Sequence, residues 1–194
     1  MRTLAVFCGS LVGVRSVYAE AAIALADQLA LRKMQLVYGG GGVGIMGILA
    51  DAALARGVPV IGVIPAHLDE KEVGHSGLTR LEVVPSMHVR KARMAELADG
   101  FVALPGGVGT LKELFEVYTW GLLGLHQKPV AVLDIAGLWA PLLGAVDHLV
   151  AEGFVRPVDG GRLLRGTEPA ALLDAMAVWK APADIKWMNR PEEA

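Results

Sequence analysis

The 194-residue chain has a single cysteine, Cys8. No intramolecular disulfide can form, and neither a disulfide scaffold nor a multi-cysteine metal site is available. It also lacks a dominant charge. Eighteen Lys and Arg stand against 20 Asp and Glu, a formal net charge of −2, so there is no electrostatic reason to expect DNA or RNA as a partner. Long apolar runs are missing as well. The longest uncharged stretch, Met34 to Ala50, carries six glycines between Gly39 and Gly47, which suits a tight loop better than a lipid-facing helix. No membrane span is expected. The start, Met1-Arg2-Thr3-Leu4, lacks the charged region and apolar core of a signal peptide and reads as the beginning of a strand. Together with the lone cysteine, this makes the cytoplasm the expected compartment. Internal repeats and low-complexity linkers are absent.

What is present is hydrophobic: 54% of the residues, enough for one well-buried domain. The expected organisation is a single domain over 1–180 and a surface tail over 181–194, where two prolines and mixed charges gather. Short β-branched runs alternate with longer segments of helical period, the pattern of βα units on a parallel sheet. Strands are predicted at Leu4 to Cys8, Gln35 to Tyr38, Pro59 to Ile64, Leu81 to Val84, Phe101 to Leu104 and Val130 to Leu133. Helices are predicted from about Val17 to Leu31, Gly44 to Arg56, Met87 to Ala98, Gly109 to Leu125, Trp139 to Glu152 and Glu168 to Lys180. Right-handed crossovers then give an open, doubly wound, Rossmann-like α/β sheet with helices on both faces and a ligand crevice at the carboxyl ends of the strands.

Three predicted strands end in glycine-bearing turns, each expected to lead into a helix: Phe7-Cys8-Gly9-Ser10, Tyr38-Gly39-Gly40-Gly41-Gly42-Val43-Gly44, and Leu104-Pro105-Gly106-Gly107-Val108-Gly109-Thr110. Without Cβ atoms, successive backbone N–H groups can point at an anion beside a helix start, so the three turns form a candidate phosphate cradle for a small-molecule ligand. None has the spacing G-x-x-x-x-G-K-[ST], which disfavours a nucleoside triphosphatase. A nicotinamide fingerprint is also incomplete, because Val58 to Ile64 stands where its ribose-binding acid is needed.

Glu113 and Glu116 follow Thr110 by three and six residues, which puts all three near one face of a helix. Upstream, Ser86 is available as N-cap for Met87-His88-Val89-Arg90-Lys91. Two cations in a first helical turn oppose the macrodipole, so Arg90 and Lys91 suggest an external anion or carboxylate partners. His75, His88, His126 and His148 show no close metal-ligand spacing. Cys8 reads as a small buried apolar residue, and Trp120 and Trp139 as core or dimer contacts.

Pro105-Gly106-Gly107-Val108-Gly109-Thr110-Leu111-Lys112-Glu113 resembles the P-G-G-x-G-T-x-x-E signature of the LOG family, and Met87-His88-x-Arg90-Lys91 resembles its second motif. Further matching stretches run from Phe7-Cys8-Gly9-Ser10 to Gly153-Phe154. The family comprises cytokinin riboside 5′-monophosphate phosphoribohydrolases, often mislabelled lysine decarboxylases. The resemblance implies a dimeric Rossmann-like enzyme that turns an N6-modified adenosine 5′-monophosphate and water into free base and ribose 5-phosphate, with no metal or organic cofactor. It implies Arg90 and Glu113 as the catalytic pair, with Lys91, Gly106, Gly107, Gly109 and Thr110 binding nucleotide. Gly9, Ser10, Gly40, Gly41, Met87 and Glu116 are further substrate-binding candidates. The alternative is a non-catalytic nucleotide-binding protein of the same fold. No pyridoxal-lysine motif supports a decarboxylase. Two positions depart from the family pattern: Leu122 replaces a common glutamine and Val89 a common glutamate, so a changed preference for the N6 substituent, or a low rate on cytokinin nucleotides, is expected if either touches the base or orders Arg90. The apolar helix around Val117 to Leu125 is the expected interface of a homodimer.

Overall fold

All seven strands of the computed structural model, which describes residues 1–69 and 74–183, run parallel to their neighbours. The first half contains β1 (Thr3–Phe7), α1 (Val17–Leu31), β2 (Gln35–Tyr38), α2 (Gly44–Ala55), β3 (Val60–Pro65), the short α3 (Ala66–Asp69) and β4 (Arg80–Val84). The second contains α4 (Met87–Leu97), β5 (Gly100–Ala103), α5 (Val108–Leu122), β6 (Val130–Leu133), α6 (Ala140–Ala151), α7 (Pro157–Gly160), β7 (Leu163–Gly166) and α8 (Pro169–Val178). The sheet order is β4-β3-β2-β1-β5-β6-β7. The chain therefore winds outward from β1 to one edge, then returns to lay β5 along the free side of β1. That reversal opens a crevice between the carboxyl ends of β1 and β5, where doubly wound sheets bind ligands.

The period-2 alternation of the strands divides the core. Leu4, Val6 and Cys8 join Leu25, Leu29, Ile45, Leu49 and Leu172 on the face covered by α1, α2 and α8. Ala5 and Phe7 join Phe101, Met94, Leu114, Val117 and Leu143 on the face covered by α4, α5 and α6. Both faces of the central strands are thus dry, and a near-continuous apolar sequence is what they require.

The structure adds elements to the predicted set. β7 is too short and too interrupted by Arg165 to read as a strand, yet it pairs with β6 from Val130↔Leu163 to Leu133↔Gly166. The one-turn helices α3 and α7 and a 3₁₀ turn at Ile135–Gly137 were equally invisible to periodicity. α5 stops at Leu122 rather than Leu125, because Gly124 takes φ +78 and the amides of Leu123 and Leu125 fold back onto the carbonyls of Thr119 and Trp120. The bounds of α1, β2 and β6 are those predicted, and the remaining boundaries differ by one or two residues. Of the tail, the structure describes Ala181 to Ala183, and Pro182 accepts a hydrogen bond from Arg162. Residues 184–194 lie outside the described residues. Among the described residues no helix is long and apolar enough to cross a membrane.

Candidate active site

Two helices bring the charged residues together. Ser86 caps α4, its hydroxyl accepting the Val89 N–H at 3.3 Å. The buried face of α4 then carries Arg90, Lys91 and Met94, and the buried face of α5 carries Thr110, Glu113, Leu114 and Val117. Met94 and Leu114 anchor the two helices in the same apolar cluster. Arg90 faces Glu113, with Nη1 3.2 Å from Oε1 and each side chain 10% exposed. Lys91 forms an ion pair with Glu116. Cations that oppose the helix dipole at the start of α4 are therefore answered by carboxylates on α5, at consecutive positions on one helix and three apart on the other.

Arg90 is held from behind as well. Its Nε donates to the Val63 carbonyl at 3.0 Å, and Nη1 also approaches the Met87 sulfur at 3.7 Å. Burial pushes the Glu113 carboxyl above the usual carboxylate range; Arg90 and then Lys91 pull it back, while Glu116 adds to the rise. Cys8, buried beside the pair, has its thiol pushed up by burial and by the Glu113 charge, with Arg90 opposing. It is a protonated wall residue rather than a thiolate nucleophile.

A cavity of about 300 Å³ opens over this pair. Its lining includes the predicted Gly9, Ser10, Met87, Arg90, Lys91, Gly107, Gly109, Thr110 and Glu113. Cys8, Met46, Val108 and Lys112 line it too and were not among the predicted site residues. A second cavity of about 280 Å³ shares Gly9, Ser10 and Gly107 with the first, and its further lining is predominantly apolar, with Leu11, Tyr18, Ile45 and Leu138. Gly106 belongs to this neighbour.

The three glycine turns do different jobs. Gly107 is the N-cap of α5, so its turn does place glycines at a helix start. A Cβ on Gly107 or Gly109 would meet nothing within 4 Å, so the fold itself does not require glycine at either position. At Gly106 a Cβ would stand 2.1 Å from the Thr110 hydroxyl, so there the packing does require it. The first turn does not lead straight into a helix, because α1 begins only at Val17. Gly9 instead ties two elements, donating to the Pro105 carbonyl at 3.0 Å and accepting from Met46 N–H at 3.2 Å. In the second turn, Gly40 takes φ +76 and Gly41 bridges to Gly74. Neither Gly40 nor Gly41 lines the cavity, and Glu116 reaches it only through Lys91.

The remaining candidates lie elsewhere. His126 is a structural hydrogen-bonder: one ring nitrogen contacts the Val117 carbonyl at 2.7 Å and the other accepts the Lys128 N–H. His75 contacts Asp51, while His88 and His148 are exposed. Trp139 is buried in the core, and Trp120 and Leu122 pack against it. Val89 is 42% exposed. Neither Leu122 nor Val89 is among the cavity-lining residues, so the two departures from the family pattern sit behind or beside the site.

Comparison with known proteins identifies relatives of the chain. Residues 46–176 match the family model described as possible lysine decarboxylase. A cytokinin riboside 5′-monophosphate phosphoribohydrolase of Rhodococcoides fascians is 48% identical over 164 residues, 84% of this chain and 83% of that protein. The probable cytokinin riboside 5′-monophosphate phosphoribohydrolase LOGL2 of Oryza sativa subsp. japonica is 42% identical over 191 residues, 96% of this chain and 78% of that protein. Among solved structures, the molybdenum cofactor binding protein from Rippkaea orientalis superposes with a TM-score of 0.69 at 18% identity, covering 91% of this chain and 95% of that one, a likeness of fold. The fold and site define a Rossmann-like α/β protein with a buried arginine–carboxylate pair at its crevice. More narrowly, the chain belongs to the LOG family of cytokinin riboside 5′-monophosphate phosphoribohydrolases.

Proposed function

We propose that this protein hydrolyses the N-glycosidic bond of an N6-modified adenosine 5′-monophosphate, releasing the free base and ribose 5-phosphate. The observation that carries the reading is the buried Arg90–Glu113 pair, set in the wall of a cavity that also holds the open first turn of α5. The backbone N–H groups of Gly107, Val108 and Gly109 at that helix start suit a 5′-phosphate, and the missing Cβ atoms let it approach. Thr110 and Lys91 line the same cavity and supply a hydroxyl and a positive charge.

Breaking the bond sends its electron pair to the base nitrogen and leaves oxocarbenium character on the ribose. Water then adds its oxygen to C1′, loses one proton, and a proton is taken up by the departing base. The Glu113 carboxylate stabilises the cationic ribose or accepts the proton from water. Arg90 engages the Val63 carbonyl through Nε and Glu113 through Nη1, an arrangement that supports a role in orienting the carboxylate rather than a two-pronged clamp on phosphate. Decarboxylation has less support. The buried lysine at the cavity, Lys91, is engaged by Glu116 rather than free to condense with a carbonyl.

The protein acts as a homodimer in the cytoplasm in this reading. Support for a dimer comes from the residues just after α5, Leu123 and Leu125, which are 44% and 70% exposed although Leu114, Val117 and Tyr118 of that helix are spent on the core. The test of function is release of base and ribose 5-phosphate from isopentenyladenosine monophosphate and from AMP. Binding without release would replace the enzyme with a nucleotide-binding protein.

A further inference from the structure

Gly39 follows the last residue of β2 and does not line the cavity, yet it lies under the guanidinium of Arg90. A Cβ built there would stand 2.0 Å from Nη2, 3.1 Å from Cζ and 3.2 Å from the Met46 sulfur. Side-chain atoms do not approach that closely, so the guanidinium must shift. The backbone does not ask for glycine here: unlike Gly40, with φ +76, Gly39 is outside the left-handed region. What does ask for it is Arg90, held with Nε on the Val63 carbonyl at 3.0 Å and Nη1 on Glu113 at 3.2 Å. The guanidinium lies between Gly39, just after β2, and the cavity that Arg90 lines, and the Val63 carbonyl of β3 holds its Nε.

We propose that Gly39 is a positioning residue for the reaction: its missing side chain forms the floor on which Arg90 is seated, so that Arg90 can hold Glu113. The inference rests on the reading of Arg90 and Glu113 as the catalytic pair. A methyl at position 39 lifts the guanidinium away from the Val63 carbonyl and loosens Glu113 without touching substrate. The loss falls on kcat rather than KM, because the phosphate-binding turn of α5 is left as it was.

The experiment is a cycle of four proteins, wild type, Gly39→Ala, Arg90→Ala and the double variant, assayed for base release from isopentenyladenosine monophosphate and melted in parallel. Gly39→Ala is expected to lower kcat by about 100-fold, the scale of a small misplacement at a reacting centre, with KM within about threefold. In the Arg90→Ala background the same substitution is expected to change nothing beyond about twofold, because the group it displaces is gone. If Arg90→Ala turns over too slowly to compare, the coupling is read in Tm: Gly39→Ala alone melts lower, or fails to fold, and the double variant regains the Tm of Arg90→Ala. Wild-type kcat in Gly39→Ala overturns the proposal. So does an equal loss of activity or Tm in both backgrounds, or a double variant that also fails to fold, since each makes position 39 matter independently of Arg90. An Arg90→Ala protein with wild-type activity is a different failure, that of the catalytic pair itself.

Discussion

Nη1 of Arg90 lies 3.2 Å from Oε1 of Glu113, and the two side chains are nine-tenths buried in the same wall. A charge pair in such a place is a costly way to join two helices, because desolvation of both groups offsets much of their attraction. Met94 on α4 and Leu114 on α5 each anchor their helix in the same apolar cluster, so neither helix depends on the pair alone for its place in the fold. A use at the reacting centre accounts for it better than stability does.

The pH dependence follows from the surroundings of Glu113. Its carboxyl is raised above the ordinary value of 4.5, chiefly by burial. If the ionised form works, activity is absent below the raised value and appears as pH climbs through it, so the acid limb of kcat/KM lies above 4.5. Arg90 pulls the carboxyl down and Glu116 pushes it up. The residual activity of Arg90→Ala should therefore show an acid limb displaced to higher pH, and Glu116→Gln one displaced to lower pH. A limb that stays put in both variants would remove Glu113 from the titration.

Gly107 and Gly109 separate ligand use from folding. A Cβ at either meets nothing within 4 Å. Gly107→Ala and Gly109→Ala should melt within about 2 °C of wild type, which is less than about 1 kcal/mol for a chain of this size. Yet they should raise KM by about tenfold or more by crowding the phosphate. Gly106→Ala should do the opposite: its Cβ meets the Thr110 hydroxyl and the Gly9 amide nitrogen, so Tm itself falls. Equal Tm losses in all three would show that the turn is glycine-rich for folding alone.

Cys8 offers a test by chemical labelling. Its thiol is buried and pushed well above the ordinary value of 9.0. Iodoacetamide at pH 8 should leave the folded protein unlabelled for hours and label it fully in denaturant. Rapid labelling of the native protein, blocked by AMP, would show an open and activated thiol instead. Cys8→Ala should keep catalysis within about threefold, because a wall residue contributes shape and not chemistry.

Tyr118 serves as a control away from the site. Its hydroxyl donates to the Asp159 carbonyl at 2.7 Å, and burial raises it to about 12. Tyr118→Phe should cost about 1 kcal/mol of stability, the net worth of one buried hydrogen bond, with kcat unchanged. A large loss of kcat would mean that α5 transmits strain to Glu113.

The sheet was legible because its strands are covered on both faces, and continuous apolar runs such as Phe101 to Leu104 admit few other readings. β7 escaped notice because Leu163–Gly166 borrows its strand character from pairing with β6, not from its own residues. The Arg90 and Glu113 positions were legible for a physical reason too. Cations at the start of α4 are out of place by the helix dipole, and that misfit anticipates a partner. The partner's identity was not local information, since Glu113 lies 23 residues away on another helix. Gly39 shows the limit most clearly. Four successive glycines look alike in sequence, and only the three-dimensional approach of the guanidinium distinguishes the one that seats Arg90 from the one that turns the chain.

The most direct measurement is ribose 5-phosphate and free base released from isopentenyladenosine monophosphate and from AMP, by wild type, Glu113→Gln and Arg90→Ala, with Tm measured on each protein. Equimolar release by wild type, and a loss of at least about 100-fold in both folded variants, is the predicted result. Nucleotide binding by wild type with no release, or turnover that survives Glu113→Gln, would contradict it.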